Sequence, residues 1–98
     1  MYARTTIAQF EPGTTDEAMS ILRDIMLPRA KEQRGFKGAL ILQDFPADKG
    51  IIITMWETET DLLDSSPPED ILVYVDRLGE LLTEQSTQHT YEVLLQLY

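Results

Sequence analysis

The chain has no cysteine, one histidine, one tryptophan and, beyond residue 56, a single basic residue. Without cysteine there is no disulfide framework, no thiol nucleophile and no thiolate metal site. One histidine leaves only carboxylates to hold a metal, and no acidic stretch has calcium-loop spacing, so no metal is expected. The N-terminal MYARTTIAQF lacks a basic flank followed by an apolar signal core. No apolar run approaches the roughly 20 residues that span a bilayer, so a cytoplasmic protein with no membrane partner is expected. Gly35 and Gly38 end a helix and enter a strand, and there is no glycine-rich phosphate or dinucleotide loop. Ser86 precedes His89 by three residues without the turn or acid that a hydrolase triad requires.

Charge is scarce in one sign only. Residues 1–56 balance seven acids against seven bases, whereas residues 57–98 set ten acids against Arg77, giving a net charge of −9. Binding to nucleic acid or anionic lipid requires neutralising phosphates, so neither is expected as a partner. The cluster Arg29, Lys31, Arg34 and Lys37 is too short and too poor in aromatics to alter this.

Ninety-eight residues make one domain, 1–98. A chain of this size buries about 65% of its unfolded surface, so core supplied by a partner chain would add stability. Residues 2–10, rich in Thr, Tyr and Phe, predict a strand that Pro12-Gly13 stops. Thr14 and Glu17 have capping-box spacing, and Ala18, Leu22, Ile25 and Arg29 recur at helical period up to Gly35. Pro28 predicts a kink where the carbonyl of Asp24 loses its amide partner. Residues 36–45 and 50–57 read as a β-hairpin across PADKG, and residues 58–64 as one helical turn. A second capping box, Ser66 to Glu69 with Pro67 at the first helical position, opens a helix ending near Gln85. Its apolar stripe is Ile71, Tyr74, Val75, Leu78, Leu81 and Leu82, and residues 88–98 read as a last strand.

The order β-α-β-β-α-β is an α+β, ferredoxin-like arrangement: a four-stranded antiparallel sheet with its helices on one face. A sheet with one wet face should alternate apolar and polar residues. ALIL, IIITMW and VLL are instead apolar at consecutive positions, so both faces are expected to be covered. Two helices cover one face only, and a second copy of the sheet is the economical cover for the other. A homodimer with sheets face to face follows as an expectation.

PRAKEQRGFKGALIL, GIIITMWETETDL, SPPEDILVYVDRLGELL and YEVLL together resemble the antibiotic biosynthesis monooxygenase family of dimeric α/β barrels. Pro28, the Gly35-Phe36-x-Gly38 step and Trp56-Glu57 carry the resemblance most specifically. The resemblance implies a cleft between helices and sheet in each chain, with Trp56 in its wall. The family includes cofactor-independent quinol oxygenases, haem-degrading enzymes, isomerases and proteins of no known activity. Haem-degrading members use a first-strand asparagine and a histidine on the second long helix. Here Thr6 stands near the first place and EDILVYVDRLGELL has no histidine, so haem is not expected and no cofactor is implied.

An electron-rich aromatic substrate can itself supply electrons to oxygen, leaving the protein to hold the ring, exclude water and accept one proton. Trp56 is the candidate ring platform. His89, whose ordinary pKa lies near neutrality, and Tyr91 on the same strand face are the candidate proton-transfer residues. That face lines either the cleft or a dimer interior, and His89 alternatively lies exposed at a frayed strand start. Arg4 either pairs with an acid across the sheet or orients an oxygen-rich ligand, and Thr6 and Tyr74 complete the candidate substrate-binding set. Tyr2, Tyr91 and Tyr98 are further hydroxyls that a cavity would use. Two readings follow: a cofactor-independent monooxygenase acting on a small aromatic, or a non-catalytic dimeric barrel that binds a hydrophobic ligand or scaffolds.

Overall fold

A computed structural model describes residues 1–97, so Tyr98 lies outside the described residues. Strands β1 (Tyr2–Gln9), β2 (Phe36–Asp44), β3 (Lys49–Trp56) and β4 (Thr87–Glu92) form one antiparallel sheet in the order β2-β3-β1-β4. This is the α+β, ferredoxin-like arrangement that the order of elements predicts. No helix among the described residues is long and apolar enough to cross a membrane.

The first helical rod is α1 (Thr15–Ile21), a π-helical turn over Leu22–Met26, and α2 (Leu27–Lys31). Proline has no N–H to offer the carbonyl four residues back and its ring crowds that carbonyl. The chain meets this by widening just upstream of Pro28, where the Leu27 N–H reaches the Leu22 carbonyl. A π turn adds one residue to the helical period. The sheet-facing stripe therefore passes from Ala18 and Leu22 to Met26, Ala30 and Gln33, not to the expected Ile25 and Arg29. Arg29, moved off the stripe, forks Asp70 instead, with Nη1 2.8 Å from Oδ2. That contact holds the Asp70 carboxyl below its ordinary pKa.

Neither expected capping box forms. The Thr14 hydroxyl donates to the Glu11 carbonyl at 2.7 Å, and Glu17 is drawn across to Arg77, whose Nε and Nη2 lie 2.6 and 2.9 Å from its oxygens. The guanidinium hydrogen bonds hold the Glu17 carboxyl below the ordinary carboxylate value. At the second box, Pro68 keeps Pro67 out of the helical region, because a residue before proline clashes there. Pro68 is itself extended at ψ 149°, so the helix waits for a single 3-10 turn, Glu69–Ile71, before α4 (Leu72–Glu80). The short α3 (Glu59–Asp64) is capped as its sequence allows: the Asp61 N–H donates to Thr58 Oγ1 at 3.0 Å. Asp61 also packs over Gly35, whose φ of +81° and close carboxylate neighbour both require the missing Cβ.

Both later elements are shorter than the apolar pattern suggests. Helix α4 stops at Glu80, short of Gln85, because the next residues are taken up by the end of β1. The Glu11 N–H donates to the Leu81 carbonyl and the Thr83 N–H to the Gln9 carbonyl, at 2.8 and 2.9 Å. Strand β4 stops at Glu92, opposite Tyr2, and its last contact with β1 is the Val93 N–H, which donates to the Met1 carbonyl at 2.8 Å. Leu94, Leu95 and Leu97 consequently stand 86–91% exposed.

The pairing registers sort the sheet into two faces. Arg4, Thr6, Ala8, Ile52, Thr54 and Trp56 point toward the helices, where Ala8, Phe10, Ala18 and Leu81 make a core with Leu78 and Leu82 packed against it. Ile7, Ile51, Ile53, Met55, Leu40 and Leu42 share the other face with His89 and Tyr91. Among the described residues no helix or strand covers that second face, which only Gln96 of the C-terminal segment reaches, its Nε2 4.0 Å from Met55 Sδ, and Leu40 and Leu42 are about half exposed, at 53% and 48%.

Candidate functional site

Between the helix-facing side of the sheet and the helices lies a cleft of about 620 Å³. Its floor is Arg4, Thr6, Ile52 and Thr54; Leu22, Met26, Ala30 and Gln33 form one wall, and Ile71, Val75 and Leu78 the other. The wall residues recur at three- and four-residue steps because that spacing keeps one helix face turned inward. The segment Ser65–Pro68 borders one side, and Glu84, Ser86 and Gln88 another. Such a space, mostly apolar with a few convergent polar groups, has the volume of a small-molecule site.

Trp56 is both packing and wall. Its ring is 2% exposed, meets Phe36 edge-on at 5.5 Å and 85°, and donates from Nε1 to Thr54 Oγ1 at 3.0 Å. These contacts fix the indole so that the part bordering the cleft is rigid. Arg4 lies opposite Thr54 in the β1–β3 pairing, and its Nη2 donates to the Leu62 carbonyl at the end of α3, 3.0 Å away. On the helical wall, Gln33 Nε2 donates to the Ser66 carbonyl at 2.6 Å, tying α2 to the rim.

No family model matches the chain and no curated protein matches it. Solved structures do. A Nitrosomonas europaea protein proposed to be an antibiotic biosynthesis monooxygenase aligns with TM-score 0.83 and 17% identity, over 97% of this chain and 100% of that one. A variant of SnoaB, a cofactor-independent oxygenase from Streptomyces nogalater, aligns at 0.82 and 16%, over 98% and 95%. A Streptomyces coelicolor monooxygenase in complex with nanaomycin D aligns at 0.80 and 12%, over 99% and 90%. The chain has the antibiotic biosynthesis monooxygenase fold. At these identities the likeness extends to the fold alone.

Within this monooxygenase fold the candidate residues separate into two groups. Trp56, Arg4 and Thr6 line one cleft. His89 and Tyr91 do not join them: they pair with Thr5 and Ala3, whose side chains point to the open face. They therefore lie across the sheet from the indole, their rings 6.2 Å apart on the uncovered side, and the expectation that they share a site with Trp56 is not met within the chain. Tyr74 is also misplaced by the expected stripe. It is 40% exposed, while Ile71, Val75 and Leu78 on either side of it face the cleft. Glu84, Gln88 and Gln33 line the cleft without having been singled out. Strand parity would have found Gln88, which alternates with His89, whereas Gln33 required knowledge of the π turn.

Proposed function

We propose that the protein is a monooxygenase-like protein that takes a small aromatic molecule of the quinol type into the helix–sheet cleft and acts on it without a cofactor. The observation that carries this reading is the open volume of about 620 Å³ beside a rigidly held tryptophan. In such chemistry the deprotonated ring donates electrons to dioxygen; one oxygen atom forms a bond to ring carbon and the other leaves as water. The protein then needs to hold the ring near oxygen, keep water out and accept a proton. The apolar walls serve the first two needs, and Glu84, the one carboxylate lining the cleft among the described residues, serves the third in place of His89 or Tyr91.

A second reading rests on a specific observation: no histidine or tyrosine lines the cleft among the described residues. On that reading the cleft holds a hydrophobic ligand without transforming it. Oxygen consumption with a panel of dihydroxynaphthalenes and anthrones separates the two. The enzyme reading expects uptake above the uncatalysed rate that Trp56→Phe lowers about tenfold or more, because small misplacements of a bound ring carry large rate penalties. Uptake undiminished in that variant would refute the site, and no uptake on any of these substrates would leave the binder.

The proposal includes a homodimer. The apolar open face and the exposed leucines at 94, 95 and 97 form a surface larger than the scattered apolar residues of an ordinary monomer. A second copy, laid sheet to sheet, covers it.

A further inference from the structure

The cleft floor holds an arginine, Arg4, with no carboxylate within 4.0 Å among the described residues; Glu84, the cleft's one carboxylate, makes no ion pair with it. Arg23, Arg29, Arg34 and Arg77 each stand within 4.0 Å of a carboxylate, but no such pair forms at Arg4, which is half-buried in the cleft floor. The carboxylate partner across the sheet that the sequence suggested is absent among the described residues. Among the described residues, the one hydrogen bond of the Arg4 side chain goes to the neutral carbonyl of Leu62. A guanidinium has five N–H donors, so the bond to Leu62 uses only a small part of its hydrogen-bonding capacity, and no carboxylate of the described residues pairs with its charge. A cation left so in a mostly apolar space is costly, and an arriving carboxylate relieves that cost with paired, charge-assisted hydrogen bonds.

Position adds the rest of the ligand. Arg4 faces Thr54, and Trp56 is two residues farther along β3 on the same face with its indole bonded to Thr54. Diagonal neighbours on paired strands stand about 7–8 Å apart, near enough for one small ligand to lie beside both residues. We infer that the cleft takes a planar aromatic carboxylate, its ring between the apolar helical walls beside Trp56 and its two oxygens on the free edge of the Arg4 guanidinium. The net charge of −9 gives no long-range attraction to such an anion, so discrimination rests on this short-range contact. This inference rests on the reading of the cleft as the ligand site and adds the charge of the ligand.

Calorimetric titration of the full chain with 2-naphthoate and its neutral counterpart 2-naphthamide tests it. Naphthoate is expected to bind at least tenfold more tightly. Arg4→Gln should remove that preference, weakening naphthoate at least tenfold more than naphthamide, and Arg4→Lys, which keeps the charge but not the fork, should retain part of it. Equal binding of the two probes to the unaltered protein would overturn the inference without any variant, leaving the cleft reading intact. An equal loss for both probes in folded Arg4→Gln would overturn it too, reducing Arg4 to a tie for α3. Binding of neither probe would also overturn it, and the oxygen-uptake test with uncharged quinols would still judge the cleft independently.

Discussion

Trp56→Ala is expected to cost about 3–5 kcal/mol of stability, the range for removing a buried aromatic side chain. The indole is 2% exposed and one of the two largest fully buried side chains, with Leu62. Its loss removes the edge-on contact with Phe36 and opens a void continuous with the cleft. It also strips Thr54 Oγ1 of its indole donor. A domain of this size has a total stability of only about 5–15 kcal/mol. The melting temperature should therefore fall by more than about 10 °C, taking roughly 4–8 °C per kcal/mol for a chain of this length. Thermal unfolding followed by circular dichroism at one fixed protomer concentration checks this, since assembly itself shifts the transition. Trp56→Phe, which keeps a six-membered ring but loses the pyrrole ring and its N–H donor, should fall between Trp56→Ala and the unaltered protein. A drop of under a few degrees in the alanine variant would mean that the indole is not the packed wall described.

The second large effect concerns assembly. Leu40→Asp places a carboxylate on the uncovered sheet face, where the native side chain is already 53% exposed. A single chain should tolerate it. In a sheet-to-sheet homodimer the residue is buried, and a two-fold interface meets every substitution twice. An unpaired buried charge costs several kcal/mol, so two copies should weaken association by about a hundredfold or more. Light scattering at micromolar concentration should give the mass of two chains for the unaltered protein and one for Leu40→Asp, with the circular dichroism spectrum unchanged. A mass of one chain for the unaltered protein would refute the homodimer.

Patterns that depend on burial of many residues were legible in the sequence, while those that depend on one hydrogen-bonding choice were not. The consecutive apolar residues of IIITMW marked a strand apolar on both faces, and the sheet has that property: Ile52 faces the helices, while Ile51 and Ile53 face outward. Thr14 and Ser66 had the spacing of helix caps, but spacing does not reveal a competing partner. Arg77 claims Glu17, and a second proline delays the helix after Ser66. The π turn at Leu22–Met26 shifted half of one cleft wall by a residue, and helical periodicity alone could not show it. Strand parity placed His89 and Tyr91 together, yet only the register against β1 shows which side of the sheet they occupy. Arg4 could be called unusual from the sequence because its strand was expected to be covered. That it has no carboxylate partner among the described residues depends on residues 50 or more positions away.

The most direct test of the central claim, that ligand enters the helix-side cleft, uses the single tryptophan. In a proton–nitrogen NMR correlation spectrum the indole N–H gives one signal, and its donor bond to Thr54 fixes its place. During an anaerobic titration with a dihydroxynaphthalene, that signal should move in step with the amides of Thr6 and Ala30, while those of His89 and Tyr91 stay in place. Movement confined to His89 and Tyr91, with the indole signal stationary, would place the ligand on the opposite face of the sheet and contradict the account.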